Sequence, residues 1–149
     1  MKYRALLEAE FGGFEIIRHE DQNNEYQGMV IQTAKDGRII RTRLAKKTAK
    51  KAGYFAAFWE KNNENNNVAY DKKDATDFLC IAVMDIHLQG LFVFPKQVLV
   101  EKGIMSSAGA KGKMAVRFYP DWCQNLNNTA RKTQDWQLAF FKDYPTEEN

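Results

Sequence analysis

The sequence predicts a single α/β (α+β) domain in which helices flank a mixed sheet of about five strands. A length of 149 residues suits one domain with a substantial core. A hydrophobic content of 44% beside 28% charged residues is typical of a soluble globular protein. Segments of helix and strand character follow one another without an internal repeat. We therefore expect residues 1–149 to form one domain.

The first part of the chain is predicted to form a helix and a β-hairpin. Lys2–Glu10 contains good helix formers and is followed by Gly12-Gly13, which would end the helix. A polar loop is expected over residues 19–25. Tyr26–Thr33 and Arg38–Ala45 then form two strands, which an Asp-Gly turn joins as a hairpin.

The segment from residue 41 to residue 61 has the pattern of a strand that runs into a helix, with Thr48 as a candidate N-cap. The apolar residues of the predicted helix recur at the i, i+3, i+4, i+7 spacing of one face, namely Ala52, Phe55, Ala56 and Trp59. Gly53 inside a helix costs about 1 kcal/mol relative to Ala, which favours close packing or the close approach of a ligand there.

Two lysines, Lys50 and Lys51, would occupy the first turn of that helix, where unpaired N–H groups already carry partial positive charge. Exposed cations there cost roughly 0.3–1 kcal/mol each, so stability alone would favour acidic residues. Together with Arg41 and Arg43 on the preceding strand, these lysines predict a site for an anion, most simply phosphate. The alternative is that they are ordinary solvated residues and that the helix begins a few positions away.

The second part of the chain is predicted to complete the sheet. Phe78–Met84 and Leu91–Phe94 are almost wholly apolar, which is typical of strands covered on both faces, and a short turn joins them as a hairpin. The remaining predicted elements are a short helix over Lys96–Lys102, a strand over Met114–Tyr119 and a final helix over Asn128–Phe141.

The basic charge is concentrated in two stretches. Residues 38–61 hold eight Lys or Arg and one Glu, and residues 96–117 hold five Lys or Arg and one Glu, although the formal net charge of the chain is only +3. Two basic stretches in an otherwise acidic chain predict a polyanionic partner. The Gly-rich loop over residues 106–113 lacks the Gly-Lys-Ser/Thr sequence of a nucleoside-triphosphate site.

The sequence disfavours a membrane protein, a zinc-binding protein and a disulfide-rich protein. No run approaches the roughly 18 apolar residues of a membrane span, and no apolar signal region follows the first residues. Cys80 and Cys123 are far apart and lack a nearby His at ligand spacing, which fits a reducing cytoplasm. We therefore expect a cytoplasmic protein that does not associate with membranes.

A metal-dependent nuclease is the main catalytic alternative. Such a site needs carboxylates that hold Mg²⁺ and usually a lysine near the attacking water. Glu25 and Asp77 are the best-placed carboxylates, but neither is followed by the rest of the compact nuclease motif at the right spacing. Asp85 and His87 lack a third ligand for a transition metal. We expect no resident metal or other cofactor, with Mg²⁺ needed only under the nuclease alternative.

Five ordered motifs are distributed over most of the chain, from about Glu25 to Phe141. They are Arg43-x-Ala45-Lys46-x-Thr48-x-x-Lys51-x-Gly53-x-Phe55-x-x-x-Trp59, Gly90-x-Phe92-Val93-Phe94-Pro95-Lys96, Lys102-Gly103-Ile104, Lys113-x-x-x-Arg117-x-Tyr119-Pro120-x-Trp122 and Lys132-Thr133-Gln134-x-Trp136-Gln137. Together these motifs resemble the MepB-like bacterial proteins, some of which are encoded beside multidrug efflux pumps and their repressors.

The resemblance implies a fold similar to that of restriction endonucleases, which makes nucleic acid the natural partner, with DNA favoured over RNA. The chain departs from the family pattern at Ala49, where Pro is usual, and at Glu60, where a basic residue is usual. The first departure loosens the start of the predicted helix, and the second shortens the basic patch at its far end.

We therefore predict a nucleic-acid-binding protein without catalytic activity. Its phosphate contacts are predicted to lie on one continuous surface formed by Arg41, Arg43, Lys46, Lys50, Lys51, Lys96, Lys113 and Arg117. Tyr119 and Trp122 are candidates for stacking on bases. A binder of a small phosphorylated or drug-like ligand in the same basic cleft, linked to multidrug efflux, is the remaining alternative.

Overall fold

The computed structural model describes residues 2–146. Its elements are α1 (Arg4–Phe11), β1 (Phe14–His19), a 3-10 segment (Asp21–Tyr26), β2 (Met29–Thr33), β3 (Ile39–Leu44), β4 (Lys46–Lys47), β5 (Tyr54–Ala57), β6 (Trp59–Lys61), β7 (Asn67–Ala69), β8 (Phe78–Met84), β9 (Gln89–Pro95), α2 (Lys96–Glu101), β10 (Ala115–Phe118), α3 (Asn128–Gln137), a second 3-10 segment (Leu138–Phe140) and β11 (Phe141–Asp143). Within this part of the chain, no helix has the length and apolar character needed to cross a membrane.

A six-stranded mixed sheet lies at the centre of the molecule, with the strand order β1-β2-β3-β8-β9-β11. β3 and β8 are parallel, whereas the other neighbouring pairs are antiparallel. The fold is therefore a mixed α+β domain, as the sequence predicts, with one strand more than expected. Both predicted hairpins are present, β2–β3 and β8–β9. Gly37 in the first of these turns has a φ of 68°, which explains why glycine stands there.

The core lies on both faces of the central sheet. On one face, Leu79 and Ile81 of β8 pack in a cluster that includes residues of β5, β9 and β10. On the other face, Cys80 and Ala82 pack in a second cluster that includes Leu7 of α1. Coverage on both faces explains the continuous apolar sequence of β8.

Residues 45–77 form the crossover between the parallel strands β3 and β8. Within it, β4 and β5 join β10 in a three-stranded sheet of order β10-β5-β4, and β6 pairs with β7. The Asn-rich segment between β6 and β7 is exposed, in agreement with the sequence pattern.

The predicted helix beyond Thr48 is wrong. Residues 48–53 are irregular, and β5 follows them. Tyr54, Ala56 and Phe58 are buried, while the residues between them are only half-buried. This period of two belongs to a strand. A dense run of aromatic and alanine residues satisfies a helical period as well, and the pairing of β5 with its neighbours decides between the two.

The sequence pattern does not predict β1 or β11, which are the edge strands of the central sheet. β1 is largely exposed and contains a bulge between Ile16 and Arg18, so it lacks a regular burial period. The final helix, predicted to reach Phe141, ends at Gln137. Phe141 instead packs on Phe92 with ring centroids 4.6 Å apart, so a tertiary contact decides the structure there.

Candidate functional site

Arg41 and Arg43 lie on β3 with their side chains inside the molecule, and their exposed fractions are 2% and 0%. Arg41 donates to the carboxylates of Glu20, Glu60 and Asp74 over 3.2, 2.9 and 2.6 Å. Burial alone would lower the pKa of Arg41, but the facing phenol and carboxylates outweigh burial and raise the pKa above its ordinary value. The guanidinium of Arg41 is therefore held as the counter-charge of these acids.

All five N–H groups of the Arg43 guanidinium have acceptors inside the protein. These acceptors are Glu20 Oε1 at 3.0 Å, Asn23 Oδ1 at 2.6 Å, Tyr70 Oη at 2.5 Å and the backbone oxygens of Thr42 at 2.8 Å and Ala57 at 3.1 Å. Gly28 leaves room for the group, because a Cβ there would come within 2.8 Å of Nη1.

The structure therefore removes Arg41 and Arg43 from the predicted set of phosphate contacts. Each guanidinium is buried and already paired, so neither offers a surface to a ligand. The period of two along β3 predicts that the two arginines share a face. It does not predict that the Asp21–Tyr26 segment and β6 cover that face.

Two adjoining cavities, of about 390 and 430 Å³, form one groove beside β10 and the start of α3. They share Lys51, Arg117 and Tyr119, and none of the described residues that line them is acidic. We call this feature the basic groove, after the cations that line it: Lys50, Lys51, Lys102, Lys113 and Arg117. Lys51 and Arg117 lie together in this groove, but the predicted continuous surface does not extend to Arg41 and Arg43, which are buried.

Arg117 is held in the basic groove by the loop that precedes β5. Its Nη2 donates to Thr48 Oγ1 at 2.6 Å, and its Nη1 donates to the carbonyl oxygen of Ala52 at 3.0 Å. The guanidinium carbon also lies 5.8 Å from the centre of the Phe55 ring. Thr48, predicted as a helix N-cap, thus orients an arginine instead. No carboxylate within residues 2–146 pairs with Arg117, so its charge remains available to an anion.

Lys102 belongs to the basic groove although it is not in the predicted set. It follows α2, and its Nζ lies 5.2 Å from the ring centre of Trp136. Lys50, Lys51 and Lys113 are exposed, and none of the four lysines pairs with a carboxylate of the described chain. Lys102 lies in the second basic stretch of the sequence, which is the signal that could have identified it.

Two other predicted lysines, Lys46 and Lys96, line neither cavity of the basic groove. The Nζ of Lys46 lies 3.7 Å from a carboxylate oxygen of Glu25. The Nζ of Lys96 donates to the backbone carbonyl oxygens of Lys72 and Asp74. Lys96 therefore supports the loop before β8 rather than a ligand.

The two aromatic candidates are separated by the structure. Tyr119 lines the basic groove but is only 8% exposed, which leaves little ring surface for stacking. Its ring packs on Gly53, where an added Cβ would meet a ring carbon at 2.6 Å. The close packing expected at Gly53 is thus confirmed, in a turn with a φ of 84° rather than in a helix. Trp122 lines a different cavity.

Comparison with known proteins supports the resemblance seen in the motifs. A sequence model of the family described as MepB-like matches residues 20–143. The chain belongs to the MepB-like family. A solved structure described as the crystal structure of MepB is similar to this chain, with a TM-score of 0.85 and 39% sequence identity over 100% of this chain and 99% of that one. No curated protein matches the chain.

In this member of the MepB-like family, the motif near the end of α3 supports the backbone of the basic groove. The buried side chain of Gln137 accepts from the N–H of Tyr119 and donates to the carbonyl oxygen of Arg117, both at 2.9 Å. Gln134 donates to two carbonyl oxygens of the loop after β10, at 2.9 and 3.2 Å. Gln137 therefore positions the backbone of Arg117, Gln134 holds the loop that follows, and neither glutamine lines the groove.

The two candidate catalytic carboxylates of this MepB-like chain lie near opposite ends of β3. Asp77 Oδ2 accepts from the N–H of Ile39 at 2.9 Å, where β3 begins. Glu25 lies beside Lys46, beyond the end of β3. The extended backbone between these contacts spans about 20 Å, so Glu25 and Asp77 do not share a metal site. Among residues 2–146, no group of three or more His, Cys, Asp or Glu side chains could hold a metal ion.

Proposed function

We propose that the basic groove binds nucleic acid through its phosphates and that the protein does not cleave it. The observation that carries this proposal is the convergence of five cations on one groove without an acidic lining residue. The formal net charge of the chain is +3, so the rest of the chain is net negative and the positive charge is concentrated here. Such a concentration attracts a polyanion and releases its counterions on binding.

The walls of the basic groove hold their cations in place. Phe55 and Trp136 line the groove, and their rings lie beneath the charged groups of Arg117 and Lys102. Cation–π contacts of this kind restrict a long side chain while leaving its charge unneutralised. The first turn of α3 also lines the groove, where its N–H groups add partial positive charge. These features favour a ligand that presents several phosphates along the basic groove.

The proposal includes the expectation, drawn from the family resemblance, that the six-stranded sheet is the core of a restriction-endonuclease-like fold. Binding without cleavage is supported by the positions of Glu25 and Asp77, which contact residues near opposite ends of β3 and belong to no group of three or more possible metal ligands within residues 2–146.

Fluorescence anisotropy tests the proposal with DNA and RNA, single- and double-stranded, at several salt concentrations. Log K should fall linearly with log salt, with a slope of about −0.7 to −0.9 for each phosphate neutralised. Lys50→Gln/Lys51→Gln should reduce the magnitude of that slope by about 1.5 and weaken binding to all sequences alike. Because both lysines are exposed, the free energy of unfolding should change by no more than about 0.5 kcal/mol.

Lys2→Gln/Lys35→Gln is the matched control, because it removes two exposed cations that do not line the basic groove. Equal slopes for the two double variants would contradict the groove as the binding surface.

A parallel series contains Mg²⁺, and the oligonucleotides should remain intact in it. If a mononucleotide at equal phosphate concentration displaces the oligonucleotide, the result favours a small phosphorylated ligand instead.

A further inference from the structure

A third cavity, of about 410 Å³, adjoins the basic groove and shares Lys51 with it. We call it the turn cavity, because Ile86 and Leu88 of the β8–β9 turn line it together with Trp122. Its volume falls in the range of about 300–1,000 Å³ that is common for small-molecule pockets. The turn cavity is therefore large enough for one planar group of a longer ligand.

Tyr54 and Asp85 also line the turn cavity, and their polar groups already have partners. Tyr54 Oη donates to Asp85 Oδ2 at 2.7 Å and accepts from Trp122 Nε1 at 2.9 Å. Asp85 Oδ1 accepts from the N–H of Ile86 at 2.8 Å, and Lys47 Nζ lies 3.6 Å from Oδ2. The Tyr54 hydroxyl and the Ile86 N–H hold the pKa of Asp85 below its usual range. Trp122, with its N–H already used, thus offers a ligand mainly apolar surface.

The wall on the turn side is apolar and open to solvent. Ile86 is 82% exposed and Leu88 is 44% exposed, and both line the same cavity. Lys47, with 73% of its side chain exposed, and Lys51 also line the cavity. A largely apolar slot, whose carboxylate, Asp85, is already paired and which is flanked by lysines, matches a planar aromatic group attached to phosphates. A nucleobase on its sugar-phosphate backbone has this chemistry.

We propose that the turn cavity is a second subsite for the same nucleic acid, in which one unpaired base lies between Trp122 and the apolar wall of Ile86 and Leu88. This inference rests on the function proposed for the basic groove, because Lys51 would contact the backbone where it passes from the groove into the cavity. Stacking on an apolar surface tolerates every base, so the subsite selects for the presence of a base and not for its identity.

The test compares an oligonucleotide with an abasic oligomer of the same length, which keeps the phosphates and lacks the bases. Ile86→Ser/Leu88→Ser should weaken binding of the oligonucleotide about five- to tenfold and leave binding of the abasic oligomer unchanged. Both side chains are exposed, so thermal unfolding of the variant should match that of the wild-type protein. Ile17→Ser, which alters a residue of β1 that is 46% exposed and lines neither the groove nor the cavity, should change neither affinity.

Lys50→Gln/Lys51→Gln should weaken both oligomers, because its effect is on phosphate contacts. An equal loss for both oligomers in the Ile86/Leu88 variant, or no loss for either, would overturn the subsite and leave the basic groove standing. If the wild-type protein binds neither oligomer, the proposed function itself fails. The variant and the wild-type protein are also compared by sedimentation. If they differ in sedimentation but not in oligonucleotide binding, the subsite is overturned and Ile86 and Leu88 are assigned to contacts between protein molecules.

Discussion

Glu20 lies between the two guanidinium groups of β3, 3.0 Å from Arg43 Nη1 and 3.2 Å from Arg41 Nη1, and is only 3% exposed. Glu60 stands where the family resemblance leads us to expect a basic residue, and it accepts from Arg41 at 2.9 Å. Ionised groups removed from water are tolerated only when they are paired and hydrogen-bonded. Each member of this cluster therefore depends on the others, and the cluster supports the fold rather than ligand binding.

Arg43→Lys should destabilise the protein by roughly 2–5 kcal/mol, because lysine keeps the charge but leaves buried acceptors without a donor, at about 1–3 kcal/mol each. An ammonium group has three donors, whereas the guanidinium of Arg43 uses five in a planar arrangement. Urea-induced unfolding measures the loss. Arg38→Lys is the control, since Arg38 pairs with Asp36 at 2.9 Å but its side chain is 53% exposed, and a change within about 0.5 kcal/mol is expected there.

The same Arg43 variant separates stability from binding. At a temperature where it remains folded, its salt slope for nucleic acid should equal that of the wild-type protein, because Arg43 is 0% exposed. A reduced slope would show that Arg43 contacts the nucleic acid and would contradict its structural role.

At the scale of elements, the irregular segment over residues 48–53 takes the place of the predicted helix. It joins β4 to β5, and Thr48 and Ala52 within it both accept from Arg117 of β10. The chain reverses at Gly53, where the φ of 84° and the ring of Tyr119 leave no room for a side chain. This side of the basic groove is therefore built from a turn that crosses between strands, and not from the helix N-terminus predicted at Thr48.

Gly53→Ala distinguishes the turn from the helix by the sign of its effect. In a helix, Ala would stabilise by about 1 kcal/mol. In the observed turn, the positive φ costs roughly 1–2 kcal/mol, and overlap with Tyr119 costs a further 1–3 kcal/mol or so. Gly109→Ala is the matched variant, because Gly109 has a φ of 85° with no atom within 4 Å of an added Cβ.

Thermal unfolding of the two alanine variants should show a loss at both positions and a clearly larger loss at residue 53. Equal losses would mean that Tyr119 moves aside without cost and that only the backbone conformation matters. A gain at residue 53 would favour the helix.

Elements with a strong local signal are predictable from the sequence. β8 has the predicted bounds, Phe78–Met84, because its apolar run reflects burial on both faces. α3 begins at the predicted Asn128, after Asn127, whose side chain accepts from the N–H of Ala130 at 2.8 Å. β5 is not predictable in this way, because its residues fit both periods and only its strand partners select one.

The candidate site, like the fold, is only partly predictable from the sequence. Lys51 and Arg117 were predicted to share one surface because each belongs to a stretch of concentrated basic charge, and both line the basic groove. The burial of Arg41 was not predictable, since its partners Glu20, Glu60 and Asp74 come from three distant segments and leave no periodic pattern. A burial pattern within one strand does not identify what covers that strand.

At the scale of the whole molecule, β11 brings the end of the described chain beside the loop after β10. The carboxyl group of Asp143 in this strand lies beside that of Asp121 in that loop. Burial and the neighbouring carboxyl group of Asp121 raise the pKa of Asp143 to about 6. The folded protein thus holds this proton more tightly than the unfolded chain does, so the stabilisation is present at low pH and is lost as the pH rises towards 6.

Asp143→Asn should therefore stabilise the protein at pH 7.5, where both carboxylates of the wild-type pair are ionised, and should give no gain at pH 4.5. Because the pair is exposed, we expect only about 0.5 kcal/mol, which raises the Tm by about 1–2 °C. Asp121→Asn should give the same gain, and the double variant should gain no more than either single variant. Calorimetry at the two pH values measures this, and a gain of equal size at both would contradict the shared proton.

The parallel pairing of β3 with β8 has a consequence for the order in which the chain folds. Residues 45–77 separate the two strands along the chain, and the same crossover carries Glu60 and Asp74 to Arg41. Closing so long a loop costs entropy before any contact offsets it. Until the crossover returns, Arg41 lacks Glu60 and Asp74 and keeps part of its hydration. We therefore expect the pairing of β3 with β8 and the complete burial of Arg41 to be coupled in folding.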